Sequence, residues 1–260
     1  MSSRVLSLSL VRYVLTAALR DKVVWGVVAI SLLAVCLSLF TANSAIIEKT
    51  QFAIVFMAGS LRLLTLFGLL LFVVFFIRRS FDARDVEFLL TRPISRSSFV
   101  LSFSLAFSLM ALVAGFFLFL LVGGLAFYSK ETSGIFLWAI GVSVEYIIVA
   151  NTAFFFAMVL SSPVSAGLAT MGFYILSRMM GQLLAIVHFG GADLPGRKIL
   201  SGVFEMTSMI IPRFDLMTQT SWLIYGGASG SDWLLVGAQG VAFLFLVLVA
   251  TLTDLSRRQF

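Results

Sequence analysis

Residues 99–128 read FVLSFSLAFSLMALVAGFFLFLLVGGLAFY, thirty positions without one charged side chain. A helix crosses roughly 30 Å of hydrocarbon with about 20 apolar residues, so this stretch is long enough to span a membrane with turns to spare. Five further stretches of the same kind flank it, at 23–40, 52–77, 135–160, 163–187 and 233–253. With 60% hydrophobic residues, 12% charged residues and a mean hydropathy of +1.09, the chain lies far from a soluble globule. The expected fold class is all-α, a polytopic membrane protein with six transmembrane helices. Residues 1–260 form one transmembrane domain in this reading, since no polar segment is long enough for a second, soluble one.

At the N-terminal side, residues 1–22 are mixed. Wound as a helix, Ser9, Arg12, Thr16 and Arg20 share a stripe at steps of three and four, while Leu6, Leu10, Tyr13, Val14 and Ala17 lie away from it. That pattern predicts an amphipathic helix lying in the membrane interface rather than a cleaved signal peptide. Between the fourth and fifth spans only Ser161 and Ser162 remain as a turn, with Pro163 at a first helical position where its missing N–H costs little. Residues 188–232 are too long for a plain connector. There a helix or helical hairpin is expected over 198–211, stopped before Pro212, and a second helix over 214–225 in the outer interface. Such a loop is placed either to cap an exit path or to rest beside the bundle.

The 18 Lys and Arg exceed the 12 acids by six, but in a membrane protein their distribution over the loops matters more than the net +6. With both termini on one side, that side holds Arg4, Arg12, Arg20, Lys22, Arg78, Arg79, Arg84, Arg92, Arg96, Arg257 and Arg258. The other side holds Lys49, Lys130, Arg197, Lys198 and Arg213. This bias sets both termini in the cytoplasm. The membrane expected to be crossed is the plasma (inner) membrane. The bias gives no reason to expect a nucleic-acid partner.

Three charges lie inside spans: Arg62 in the second, Glu145 in the fourth and Arg178 in the fifth. Counted from the outer ends of those spans they are about ten, ten and nine residues deep, one level at roughly 14 Å. Charges at such depth face a partner or a wet cavity, so the three are expected to meet, with Asn151 a turn and a half further in. Two roles stay open for the group, a gate on a transport path and a structural clamp between helices.

No enzyme signature is present. Gly191 to Gly196, followed by Arg197 and Lys198, imitates a phosphate loop, but the Lys is displaced, no Ser or Thr follows it and no strand precedes it. One cysteine, Cys36, and one histidine, His188, exclude a disulfide framework and a multi-histidine site, and no metal site is expected. Met179, Met180, Met206, Met209 and Met217 cluster towards the outer side near His188; thioethers suit Cu(I), and they also fill gaps in apolar packing.

The densest charge in the chain is the 78–98 loop, RRSFDARDVEFLLTRPISRSS. Residues 83–90 can form two helical turns, with Asp85 and Glu87 near the start where negative charge suits the helix dipole. Pro93 disfavours helix at Arg92, and Ser95, Ser97 and Ser98 offer caps for the third span. Within it, Glu87-Phe88-Leu89-Leu90-Thr91-Arg92-Pro93-Ile94-Ser95-Arg96 resembles the loop between the second and third spans of ATP-binding-cassette (ABC) transporter permeases of the type-2 exporter class. Many members carry there an acidic residue and then Leu-Leu-Ser-Arg-Pro-Val-Ser-Arg. The six-span layout, the amphipathic leader and the long loop before the last span fit the same class. The chain departs from it at Val86-Glu87, where Gly-Thr is common, and at Ser102-Phe103, where a Lys often falls.

The resemblance implies a permease subunit that pairs, as a homo- or heterodimer, with a second permease subunit in the membrane lipids. Two copies of a separate ATPase, which would hold the ATP and Mg, would power it; this chain would bind no cofactor and would not itself be an enzyme. Arg84, Asp85, Glu87 and Arg92 would make the polar contacts of the coupling helix, and Phe88 and Leu89 its apolar anchor. Two other readings are a non-transporting anchor or regulatory subunit of an ABC-type complex, and an ion-coupled secondary transporter. The residues name no cargo.

Overall fold

The structure, a computed structural model, describes residues 6–43, 49–82, 95–128, 134–189, 197–226 and 229–257. Those residues form ten helices and no strand. They are α1 (Leu8–Arg20), α2 (Lys22–Asn43), α3 (Lys49–Asp82), α4 (Arg96–Tyr128), α5 (Ile135–Val159), α6 (Pro163–Phe189), α7 (Arg197–Ile210), α8 (Phe214–Met217), α9 (Trp222–Tyr225) and α10 (Gly230–Arg257). Six of them, α2 to α6 and α10, are long and apolar enough to cross a membrane. The chain has the build of a multi-pass membrane protein. The helix α6 begins at Pro163, where the short Ser161–Ser162 turn required it to.

Helix α5 is the hub. Glu145, Tyr146, Asn151 and Phe154 are buried on it, and it packs against α3, α4, α6 and α10. Apolar surface gives little drive for association inside a bilayer, so close approach of backbones at small residues carries much of the packing. A Cβ on Gly115 of α4 would lie 2.2 Å from Ser143 Oγ, and one on Gly240 of α10 would lie 2.5 Å from Val144 Cγ1. Both contacts bring a neighbour onto α5. Nearer the other end, Phe76, Phe103, Phe107 and Phe154 pack ring to ring, with centroids 5.4 to 6.2 Å apart, and join α3, α4 and α5.

Helix α1 buries Leu10, Val11, Val14 and Ala18, while Ser9, Arg12, Thr16 and Arg20 are exposed as one stripe. Its start is tied to α4, because the Ser7 N–H donates to Ser102 Oγ at 2.9 Å. Asp21 Oδ1 accepts from the Val23 N–H at 2.8 Å, so the corner between α1 and α2 is capped by its own side chain.

Two more bonds collect remote parts of the chain at this end. Arg78 Nη2 donates to the Ser161 carbonyl. Arg96 Nη1 donates to the carbonyls of Leu255 at 3.0 Å and Ser256 at 3.4 Å, near the C-terminus of α10. Cations suit a helix C-terminus, where the carbonyls lack intrahelical partners. The start of α1, both flanks of the 78–98 loop, the α5–α6 turn and the end of α10 therefore share one end of the bundle, called here the basic end.

Substituting Gly115→Val is expected to lower the stability of the purified chain by about 1–3 kcal/mol, the usual cost of overpacking. Gly124→Val, where a Cβ meets nothing within 4 Å, is expected to leave it unchanged. Thermal unfolding in detergent, followed by size-exclusion chromatography, compares the two.

Candidate functional site

The intramembrane charges converge. Arg62 comes from α3, Glu145 from α5 and Arg178 from α6, and the group they form centres on Thr218, just past α8. Along their helices they lie 13, 10 and 11 residues from the ends remote from the basic end, which is about 15–20 Å of helix. Glu145 and Thr218 are fully buried and Arg62 is 8% exposed.

The Thr218 hydroxyl is the node. Its one proton is shared between Glu145 Oε2 at 2.7 Å and the Phe214 carbonyl at 3.0 Å, and it accepts from Arg62 Nη1 at 3.2 Å and from Arg178 Nη1. One donor and two acceptor positions are all a hydroxyl has, and all are taken. The same guanidinium groups also reach backbone. Arg62 Nη1 donates to the Thr218 carbonyl at 3.4 Å, Arg178 Nη2 to that carbonyl at 3.2 Å, and Arg178 Nη1 to the Phe214 carbonyl. Arg62 Nε faces Glu145 Oε1 at 3.9 Å, an ion pair beyond hydrogen-bond reach. Tyr146, next to Glu145, donates its hydroxyl to the Arg62 carbonyl at 2.9 Å and ties α5 to α3 at the same level.

These contacts hold a broken stretch of backbone inside the bundle. One helix was expected over 214–225, in the outer interface; two single-turn helices, α8 and α9, stand there instead, with residues 218–221 between them. Phe214, Met217, Thr218, Trp222 and Leu223 are buried. The break leaves carbonyls without helical partners, and at membrane depth such groups are tolerated only where protein satisfies them. The two arginines do so. Trp222 and Tyr225 suggested an interface because each has an apolar body and a polar tip, but only Tyr225 is exposed.

Glycine makes the seat. A Cβ on Gly134 would lie 2.0 Å from the Trp222 carbonyl oxygen, one on Gly141 would lie 2.1 Å from that of Met217, and one on Gly181 would lie 2.3 Å from Asp215 Oδ2. Gly134, which caps the start of α5, and Gly141 within it are seven residues apart, and the backbone at Met217 and Trp222 runs against them. Arg213 and Asp215 pair at 2.8 Å, and the Arg213 N–H donates to Gln239 Oε1 of α10 at 3.1 Å.

Asn151 does not join the group. Its Nδ2 donates to Ser108 Oγ at 3.0 Å and to the Ile147 carbonyl at 2.8 Å, and Ser104 Oγ donates to its Oδ1. It fastens α5 to α4 instead. Of the methionines, Met180 and Met217 are buried, whereas Met179 and Met206 are exposed, and the side chains of Met209 and His188 lie outside the described residues. Arg84, Asp85, Glu87, Phe88, Leu89 and Arg92 also lie outside them. Among the described residues no cluster of three His, Cys, Asp or Glu side chains could hold a metal ion.

Thr218 went unnoticed in the sequence, as an uncharged residue in a loop between charged ones. The spacing of Gly134 and Gly141 was a usable signal, since two glycines seven apart on a membrane helix mark a face for close backbone approach. In comparisons with known proteins, no family model matches the chain and no curated protein does.

Replacing Thr218 by Val keeps the shape and removes the node. The variant is expected to lose about 1–3 kcal/mol, the cost of buried polar groups left unsatisfied. Thr170→Val removes a buried hydroxyl that bonds only the Ala166 carbonyl of its own helix, and should cost less. The midpoint of thermal unfolding in one detergent, measured for both, checks the order.

Proposed function

We propose that this chain is the membrane-spanning subunit of an ABC-class transporter in the plasma (inner) membrane, with both termini in the cytoplasm. A separate ATPase, in two copies carrying ATP and Mg, docks on the 78–98 loop, and a second permease subunit completes the pathway. The observation that carries the reading is how the flanks of that loop are anchored. Arg78 is bonded to the turn between α5 and α6, and Arg96 to the end of α10. A push on the loop is thereby delivered to three spans besides α3 and α4, which flank it: α5 and α6 through the turn, and α10 through Arg96; α1 follows α4 through the Ser7–Ser102 bond. A solvated connector would need no such fastening. The sequence likeness of 87–96 to the coupling loop of type-2 exporters supports the same assignment.

In this reading α1 lies in the inner interface, its Arg12 and Arg20 stripe towards headgroups. Helix α7 lies in the outer one, its exposed stripe Ile199, Val203, Met206 and Ile210 towards lipid. The segment from Phe214 to Tyr225 is the outer plug of the pathway, and Arg62, Glu145 and Arg178 act as the clamp that seats it. Their bonds to backbone carbonyls favour a clamp over a cargo-facing gate. The clamp fits equally a subunit that anchors or regulates an ABC-type complex without moving cargo.

Glu87→Arg with Phe88→Ala is expected to abolish co-purification of the ATPase and nucleotide-driven transport, while the chain still inserts and elutes normally. An ATPase that remains bound and active in transport removes the coupling assignment. Gly141→Val, which displaces the Met217 carbonyl, is expected to leave the ATPase bound and to raise its hydrolysis without matching transport. Unaltered coupling in that variant removes the plug role alone.

A further inference from the structure

Helices α2 and α4 both stand beside α3, and a groove of about 450 Å³ runs between them with α3 as its floor. Leu69 and Phe72 belong to the floor, Val28 to the α2 wall and Ala114 to the α4 wall, and Leu19 of α1 closes the basic end. Thr65 is the only lining residue with a hydroxyl, and the Trp25 indole N–H is already spent on the Leu19 carbonyl at 2.9 Å. The groove opens sideways from the bundle, since its rim residues Leu19, Trp25 and Val113 are 61 to 69% exposed.

A groove with this lining holds no water, and its walls lack packing partners until an apolar chain fills it. In a protein that crosses a bilayer, the apolar chain beside an open lateral groove is a lipid tail. The charge at its mouth selects the headgroup. Arg20 and Lys22, both exposed, stand beside Leu19 and Trp25, while the carboxylate of Asp21 between them is engaged with the Val23 N–H. Basic residues at headgroup level draw anionic lipids. A second copy of the chain seated there would bring its own basic end against these cations.

We propose that this groove binds one acyl chain of an anionic phospholipid, whose headgroup rests on Arg20 and Lys22. The site ties α1, α2 and α4 together on α3 through the lipid. It requires only that the chain crosses a membrane and stands apart from any transport role.

The test uses the full-length chain in phosphatidylcholine nanodiscs, doped with phosphatidylglycerol that carries a photoactivatable group on its acyl chain. Adducts are expected on peptides containing Leu69, Phe72 and Ala114. They should be at least about fivefold more abundant than with the same probe on phosphatidylcholine, the factor one basic residue gives near a charged surface. Ala114→Trp and, from the opposite wall, Val28→Trp fill the groove and should remove those adducts, with elution volume and helical circular dichroism unchanged. Arg20→Gln with Lys22→Gln should keep the labelling and equalise the two headgroups. Should both Trp variants fail to fold, displacement of the probe by unlabelled phosphatidylglycerol but not by phosphatidylcholine decides the point. Equal labelling by both headgroups in the wild-type chain, labelling unmoved by either Trp, or crosslinks to a second copy in place of lipid would overturn the proposal.

Discussion

Backbone that leaves a helix within the membrane must find its hydrogen bonds in protein, and the rest of this structure is arranged around one place where that happens. Where the chain breaks after α8, the carbonyls of Phe214, at the start of that single turn, and of Thr218, just past it, lack helical partners. Arg178 of α6 donates to both, and Arg62 of α3 donates to that of Thr218. Two cations at one spot need an anion, and Glu145 supplies it from α5, accepting from the Thr218 hydroxyl as well. The glycines of α5 and α6 follow from the same requirement, since side chains at 134, 141 or 181 would hold the segment out of reach of the arginines.

The choice of arginine is physical. A guanidinium presents five N–H groups in a fixed plane, so Arg178 can reach a hydroxyl and two carbonyls at once, where an ammonium would be a single mobile point. A charge at the centre of a spanning helix costs about 2.5–3.5 kcal/mol on insertion scales. Hydrogen bonds to charged groups return about 1.5–3 kcal/mol each, and each arginine makes at least two. The two sums are similar in size. The group therefore adds little net stability, and its effect is to fix one arrangement of α8 and α9 against three spans. Buried polar contacts act on specificity in this way where apolar packing would tolerate several registers.

Depth was legible in the sequence and direction was not. Counting residues from the span ends put Arg62, Glu145 and Arg178 at one level, and the three do meet. The same counting suggested Asn151 as a companion, but rotation about the α5 axis carries it to Ser104 and Ser108. An apolar helix in a membrane carries no polar face to reveal its rotation, so periodicity, which exposed the Arg12–Arg20 stripe of α1, was silent for α5. Thr218 escaped for a related reason. Its neighbours Trp222 and Tyr225 favour an interface, and only the glycine seat on another helix, distant in sequence, says that the segment is buried.

One helix links the two ends of the molecule. Arg62 and Arg78 both lie on α3, 16 residues apart, which is about 24 Å of unbroken helix. Under the proposed function, a displacement delivered at the 78–98 loop reaches the clamp through this rod, and the clamp is not equally firm on its two sides. Arg178 holds the carbonyls of Phe214 and Thr218 and the Thr218 hydroxyl, so α6 and the plug would move as one piece. Arg62 meets Glu145 at 3.9 Å, the Thr218 carbonyl at 3.4 Å and the Thr218 hydroxyl at 3.2 Å, all longer than the bonds of Arg178 to Phe214 and the hydroxyl, so the contacts of α3 are the looser ones. The seam that opens first is then the one between α3 and the plug, with Tyr146 holding the Arg62 carbonyl as the restraint to be overcome. A switch of this kind needs two discrete packings rather than a continuous stretch.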